Sequence, residues 1–300
     1  MSEPTRHHWV PQFILRGFAI QGGVADRVWV YRPDRQPVVQ SIKDTAVKSF
    51  LYASKDSGKW NMDAEEVLSK LESLIPPIID DLKQKRPLYI KERETLAKFI
   101  ALQLMRTPLY RASMLKRFSH WNTIDIGKFM ESSFPGAPKS NWHDFEPGPQ
   151  DDASSRVLFL VKMFDELLRK YPALAFRRWT ILHARDDCPF VTSSCGYAVN
   201  TMVQGKPAVN LHDPDLILYL PLTARMTIEI MGPPQKENVR RRMRPVDVPH
   251  VNCSRDKINA INQCMAYNAD SFVVADRDGM KFTPGWGRGE MEITDPPRSV

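Results

Sequence analysis

The sequence predicts an α+β protein whose helix-rich N-terminal two-thirds packs with a mainly antiparallel sheet from the C-terminal third. Apolar residues recur at helical spacing from about residue 60 to residue 170. Short strand-like runs then dominate residues 175–280, and one further hairpin is expected at residues 25–41. Because helices and strands are segregated along the chain instead of alternating, an antiparallel sheet is favoured over a parallel one.

The composition is typical of a globular protein. The 300 residues are 42% hydrophobic and 26% charged, which is enough to bury one or two cores, and we predict a single domain over 1–300. There is no run of about 18 apolar residues. The opening MSEPTRHH lacks the apolar stretch of a secretory signal. We therefore expect no membrane span and a cytoplasmic location.

The first predicted element is a short helix that docks onto the core. Pro11 suits the first position of a helix because proline has no N–H to leave unpaired there. The apolar residues that follow, Phe13, Ile14 and Phe18, recur at helical spacing. This segment would hold the adjacent His7 and His8 at the edge of the fold. The hairpin comes next, with its turn at Pro33-Asp34-Arg35.

The middle of the chain is predicted to be helical in several pieces. One helix begins near Asp63 and runs towards Lys85, with a break or kink at Pro76-Pro77. The remaining helices are expected at Lys91–Arg106, Leu109–Trp121 and Ser154–Arg169, with a loop over Phe134–Gln150.

Four strands are predicted next, followed by a helix, a last strand and an extended tail over 281–300. The strands are expected at Phe176–His183, Phe190–Ser193, Leu216–Leu220 and Arg225–Met231. The late helix is expected at Asp256–Tyr267 and the last strand at Ser271–Ala275.

The N-terminal motif HHWVPQFILRGF resembles the opening signature HHxVPQFxLRxF of domain-of-unknown-function family 4238. The similarity continues through an acidic helix, the run FIALQLMRTP, the strand end Thr192-Ser193-Ser194, the run LPLT and the last helix with its two asparagines. Some relatives occur among the defence cargo of phages and mobile elements, so the resemblance implies a defence or toxin-like role. No settled biochemical activity comes with it.

The first candidate site combines the paired histidines with the acidic helix. Glu65 and Glu72 are seven residues apart, about two helical turns, so both carboxylates project from one face. Imidazole and carboxylate together suit a divalent metal or a general acid/base pair, with His7 and His8 as the imidazoles. In the alternative interpretation, the glutamates are surface residues at a helix start and His8 binds a backbone group.

The second candidate is Gln103 with Arg106, which are neighbours on one helix face. Gln103 lies among apolar residues, so it should face inward and need hydrogen-bond partners. Arg106 would either clamp a substrate anion or tie the helix end to loop carbonyls. Both interpretations remain open at this point.

The third candidate is the strand end around Ser193 and Ser194, which we expect to contact substrate. Relatives tend to have Thr-Ser-Asp followed by proline here, so Ser194 stands where the resemblance implies an acid. A serine cannot readily ligate a metal or orient a histidine as a carboxylate would. The departure therefore counts against metal-dependent catalysis in this chain and suggests an altered or inactive version.

Two asparagines on the last helix complete the set. Asn262 lies amid apolar residues and is expected to be buried, hydrogen-bonded towards the strand loop and available to a substrate. Asn268 is expected to be the left-handed residue that ends the helix.

The charge points to anionic partners. The net charge is +7, and four arginines cluster at Arg240, Arg241, Arg242 and Arg244. Such a run is either a solvated surface or a patch that contacts phosphates.

Two functional hypotheses follow from these candidates. In the first, the protein is a defence or toxin-like effector acting on a phosphodiester or nucleotide, with His7, His8, Glu65, Glu72 and Arg106 as catalytic residues. A divalent metal is an optional cofactor in this hypothesis. In the second, the protein is a non-catalytic module that binds nucleic acid or a protein, and the histidines, arginine and asparagines form a buried network that fixes the fold. The sequence leaves the oligomeric state open.

Overall fold

The computed structural model describes residues 6–20, 26–49, 51–52, 54–56, 59–61, 63–118, 153–200, 202–203, 206–207, 211, 213–232, 248–283 and 286. The loop predicted at Phe134–Gln150, the arginine cluster at 240–244 and most of the 281–300 tail lie outside the described residues. No helix in the described ranges is long and apolar enough to cross a membrane.

The N-terminal part contains more strands than the sequence predicts. In order, its elements are β1 (Arg6–His8), α1 (Gln12–Arg16), β2 (Arg27–Tyr31), β3 (Val38–Ser41), β4 (Val47–Ser49), β5 (Ser54–Asp56) and β6 (Lys59–Asn61). The β2–β3 hairpin is the predicted one. The two histidines lie in β1, which pairs with β4, so they are held in a strand instead of a loop before the helix.

Within the part of the chain that the structure describes, five helices follow: α2 (Asp63–Ser73), α3 (Ile75–Lys83), α4 (Ile90–Met105), α5 (Pro108–Phe118) and α6 (Ala153–Ala175). The break between α2 and α3 falls at Leu74, and Pro76 then lies in the first turn of α3, where proline is tolerated. Helix α6 extends six residues beyond the prediction, through Pro172. It packs along α4, which shows tertiary contacts outweighing the local cost of a proline.

The described residues of the C-terminal part form further strands and one helix. They are β7 (Arg178–His183), β8 (Thr192–Ser193), β9 (Ala198–Val199), β10 (Met202–Val203), β11 (Lys206–Pro207), β12 (Ile217–Thr223), β13 (Met226–Met231), β14 (His250–Asn252), α7 (Arg255–Asn268) and β15 (Val273–Ala275). The larger sheet has the order β14-β7-β13-β12-β9, and its strands are antiparallel except for the β14–β7 pair. These elements confirm the α+β class.

A second sheet combines strands from the N-terminal and C-terminal parts of the chain. Its order is β3-β2-β15-β8, with the N-terminal hairpin paired to the last strand. The N-terminal segment also docks as predicted, because Val10, Ile14, Leu15 and Phe18 are at most 3% exposed in the main core. This docking brings β1 against the ends of α2 and α4, where the candidate residues lie.

Candidate functional site

His7 points inward from β1 and is buried. Its Nδ1 accepts the Tyr52 backbone N–H at 3.0 Å, and its ring packs parallel to the Tyr52 ring with centroids 5.7 Å apart. An Nδ1 that accepts this bond carries no proton, so the geometry assigns the ring a neutral form with its proton on Nε2. The sequence contained no signal for Tyr52, yet this tyrosine lies at the centre of the cluster.

His8 faces the other side of β1 and is half-buried. Its Nε2 lies 3.3 Å from the Ile42 carbonyl, and its Nδ1 lies 3.4 Å from Gln12 Nε2. Burial lowers the pKa of His8, which favours the neutral ring. Both ring nitrogens therefore have partners within the protein.

Arg106 ties three elements together at the end of α4. Its Nη1 donates to Glu72 Oε1 at 2.6 Å, and its Nη2 donates to the His8 carbonyl at 2.5 Å. The Tyr52 hydroxyl donates to the Arg106 carbonyl at 3.1 Å. Only 2% of the arginine side chain is exposed. Arg106 Nε has no hydrogen-bond partner among the described residues.

The two glutamates of α2 face the same cluster, as the seven-residue spacing predicts. Glu72 binds Arg106, and Glu65 Oε2 lies 3.8 Å from His7 Nδ1. Burial raises the pKa of Glu65, opposed by Arg106 and reinforced by the negative charge of Glu72. Because 30% of the Glu65 side chain is exposed, this carboxyl is open to solvent beside a buried imidazole.

Gln103 lies one turn before Arg106 and links α4 to two backbone segments. Its Nε2 donates to the Trp9 carbonyl at 3.0 Å and to the Cys195 carbonyl at 2.9 Å. Gly196 has φ +75°, and a Cβ there would lie 2.8 Å from Gln103 Nε2. Only glycine fits this approach without strain. Gln103 Oε1 is buried with no hydrogen-bond partner among the described residues.

Ser194 holds a turn between β8 and the end of α7. Its hydroxyl oxygen accepts the backbone N–H groups of Asp270 at 3.1 Å and Ser271 at 3.2 Å. Its carbonyl accepts the Trp9 indole N–H at 2.8 Å. The neighbouring Ser193 hydroxyl accepts the Cys195 N–H at 3.3 Å. Both serines are buried and bonded to backbone groups.

A family model described as a protein of unknown function (DUF4238) matches residues 6–279. The chain belongs to this family. No curated protein and no solved structure matches the chain. In this DUF4238 protein, the matched range includes all the candidate residues from His7 to Asn262.

The two asparagines of this DUF4238 protein lie away from the histidines. Asn262 is buried, its Oδ1 accepting the Val191 N–H at 3.0 Å and its Nδ2 donating to the Pro189 carbonyl at 2.9 Å. The expectation for Asn268 is wrong, because Asn268 is the last residue of α7 and the extended Ala269 follows it. Its buried side chain binds both backbone groups of Val199 in β9. The end of α7 is therefore held by the hydrogen bonds between Asn268 and the sheet, and not by a residue in the left-handed conformation.

The cluster does not present a metal-ligand set. His7 Nδ1 already accepts the Tyr52 amide, and Glu72 is paired with Arg106. Within the described ranges, no group of three or more histidine, cysteine or acidic side chains could hold a metal ion. His7, Glu65, Glu72 and Arg106 thus come together around Tyr52, whereas His8 joins them only through its backbone carbonyl and its ring faces the other side of β1. Gln103 and Ser194 connect to them through Trp9, and Asn262 belongs to a different part of the fold.

Proposed function

We propose that this protein is a non-catalytic nucleic-acid-binding module in which the candidate residues form a structural network. One observation carries the proposal. The polar groups that a substrate would need on His8, Ser194 and Asn262 are already hydrogen-bonded within the protein. Both terminal nitrogens of Arg106 are likewise hydrogen-bonded, one to Glu72 and the other to the His8 backbone carbonyl. Groups committed in this way fix a fold and are poorly placed to bind a substrate.

Charge supports nucleic acid as the partner. The chain carries a net charge of +7, and arginine grips phosphate oxygens with two parallel N–H donors. The cluster Arg240, Arg241, Arg242 and Arg244 supplies the highest local density of such donors. Contacts of this kind contribute affinity that does not depend on the nucleotide sequence, and they weaken as the salt concentration rises.

The test measures binding of a labelled oligonucleotide by fluorescence anisotropy over a range of salt concentrations. Wild type should bind with a steep salt dependence, and the double variant Arg241→Glu/Arg242→Glu should weaken binding uniformly across sequences. The control, Lys43→Glu/Lys91→Glu, makes the same charge change at two exposed lysines elsewhere. Equal loss in both double variants would remove the arginine cluster from the proposal. No binding by wild type would contradict the proposal as a whole.

A second candidate function is an effector that acts on phosphodiester or nucleotide substrates, in defence or as a toxin. It is favoured by the partly exposed Glu65 carboxyl with its raised pKa, and by Arg106 Nε and Gln103 Oε1, which have no hydrogen-bond partner among the described residues. His8→Ala should then abolish toxicity or cleavage while leaving the melting temperature nearly unchanged. Full activity in that variant, or loss of activity only together with unfolding, would count against catalysis.

A further inference from the structure

Two cavities adjoin each other at the segment that follows β15. One, of about 500 Å³, lies between α7 and residues 277–281, and Asn262 lines it. The other, of about 480 Å³, lies between the same segment and the β2–β3 hairpin turn. Met280 lines both. Both volumes are in the range of small-ligand sites.

Hydrogen bonds fix the wall between the two cavities. The Tyr31 hydroxyl donates to the Arg277 carbonyl at 2.9 Å and lies 3.3 Å from the Met280 nitrogen. On the other side, Gln263 donates to the Lys281 carbonyl at 3.1 Å and accepts the Thr283 N–H at 2.8 Å. The segment is thereby anchored to the hairpin and to α7, so the site is preformed.

The second cavity offers aromatic faces beside a cation. The Phe282 ring packs edge-on against the Tyr31 ring, with centroids 5.5 Å apart, and its centroid lies 5.3 Å from that of the Trp286 ring. Phe282 and Trp286 are only partly buried. Arg35, at the hairpin turn, is exposed and makes no hydrogen bond or ion pair with any described residue. Partly exposed aromatic rings next to an uncommitted guanidinium are what unpaired bases stack on in single-strand-binding proteins.

The first cavity adds positive charge on the other side of Met280. Its lining includes Arg255, Arg277 and Lys281 against the acids Asp187 and Asp278. Both arginines already have aspartate partners. The Lys281 side chain is exposed and unpaired within the described ranges, so it is available to an incoming anion. Along the chain, Lys281 and Phe282 are neighbours that line different cavities.

We propose that this pair of cavities binds a single-stranded nucleic acid. Unpaired bases stack on Phe282 and Trp286, and the adjacent phosphates contact Arg35 and Lys281. This inference rests on the proposed nucleic-acid binding and adds a base-stacking site to the arginine cluster proposed above. Bases inside a duplex are already stacked on one another, so the site prefers single strands to duplexes.

The experiment measures, by fluorescence anisotropy, the binding of two labelled 12-nucleotide probes of equal charge, oligothymidylate and its abasic counterpart, and of a labelled 12-base-pair duplex. Wild type should bind oligothymidylate at least about 5-fold tighter than the abasic probe. Trp286→Ala should weaken binding of oligothymidylate and leave the affinity for the abasic probe unchanged, so that the difference shrinks to what stacking on Phe282 alone supplies. Trp286→Phe, which keeps a stacking face, should retain most of the difference. Thermal melting of each variant checks that it is folded.

Lysine variants test the phosphate contact separately. Lys281→Ala should reduce the slope of log affinity against log salt by about 0.7, the value for one phosphate contact on a single strand. Lys91→Ala removes an exposed lysine on α4 and should leave the slope unchanged. Equal wild-type affinity for both probes, or a duplex preference, would overturn the stacking site while leaving the proposed function intact. If wild type bound neither probe nor duplex, the proposed function itself would fail.

Discussion

Arg106 and Glu72 form an ion pair with Nη1 2.6 Å from Oε1, and the arginine side chain is 2% exposed. The second terminal nitrogen of the same guanidinium binds the backbone carbonyl of His8. One side chain therefore joins the end of α4 to the end of α2 and to β1. Removing one partner of such a pair leaves a charge buried without compensation, which costs more than the intact pair contributes.

Stability should fall as the solution becomes acidic below pH about 6.5. His183 Nε2 lies 2.8 Å from His250 Nδ1, and burial lowers the pKa of both, with Lys85 adding repulsion. A lowered folded-state pKa means that the unfolded chain binds protons first. The stability that the pair contributes is therefore fully present above the ordinary histidine pKa of about 6.5. It is lost as the pH drops from there towards the lower pKa values of the folded state.

Urea unfolding at pH 8, 7, 6 and 5.5 measures this effect. His183→Gln should show a shallower loss than wild type. Glu65 acts in the opposite direction, because its raised pKa makes the folded state gain stability as the pH falls. Comparing wild type with His183→Gln removes the Glu65 contribution, because both proteins contain Glu65. Identical slopes for wild type and variant would contradict the assignment to this histidine pair.

Ser194→Ala should lower the free energy of unfolding by about 1–3 kcal/mol, because two backbone N–H groups lose their acceptor. Ser194→Asp should retain most of the stability, since a carboxylate oxygen accepts the same bonds. Ser73→Ala, at an exposed hydroxyl, serves as the control. If the alanine and aspartate variants were destabilised equally, the hydroxyl would not be acting as an acceptor.

Deleting residues 1–19 should collapse solubility. The deleted segment contains four residues of the main core, and each apolar side chain contributes about 1.5–3 kcal/mol when buried. A milder variant is Gly17→Ala, whose Cβ would lie 2.5 Å from the Leu222 carbonyl oxygen. We expect it to cost about 1–3 kcal/mol in thermal or urea unfolding. A truncated protein that still melts cooperatively at an unchanged temperature would contradict this role.

The elements with strong local signals were predictable from the sequence. The periodicity of α4 predicts its bounds to within one residue. The proline pair predicts a break between α2 and α3, and the break falls two residues earlier, at Leu74. The shared face of Glu65 and Glu72 followed from helix geometry alone. Strands β1 and β4 were missed, because each has three residues and depends on a partner about 40 positions away.

The arrangement of the candidate site could be predicted only in part. The sequence indicated that Gln103 and Asn262 are buried, but not that Tyr52 lies beside the candidate residues or that the partners of Gln103 and Ser194 are mainly backbone groups. Backbone donors and acceptors carry no residue-specific signal. The Asn268 error has the same origin, since its partner is the backbone of Val199 in a strand 69 residues earlier.

We propose that the cluster of His7, Glu65, Glu72 and Arg106 stabilises the fold and takes no part in nucleic-acid binding. The variant Glu72→Gln separates stability from binding, with urea unfolding and the Kd for the 12-nucleotide oligothymidylate probe measured on the same sample. We predict a loss of about 2–4 kcal/mol in the free energy of unfolding, reduced somewhat because Glu72 is partly exposed. The Kd of the folded variant should stay within about twofold of wild type, a change worth no more than about 0.4 kcal/mol. Glu66→Gln, at an exposed glutamate of the same helix, should leave both quantities near wild type. If Glu72→Gln left the free energy of unfolding unchanged and weakened the Kd about tenfold or more, about 1.4 kcal/mol, the cluster would be part of the binding site and not a structural element.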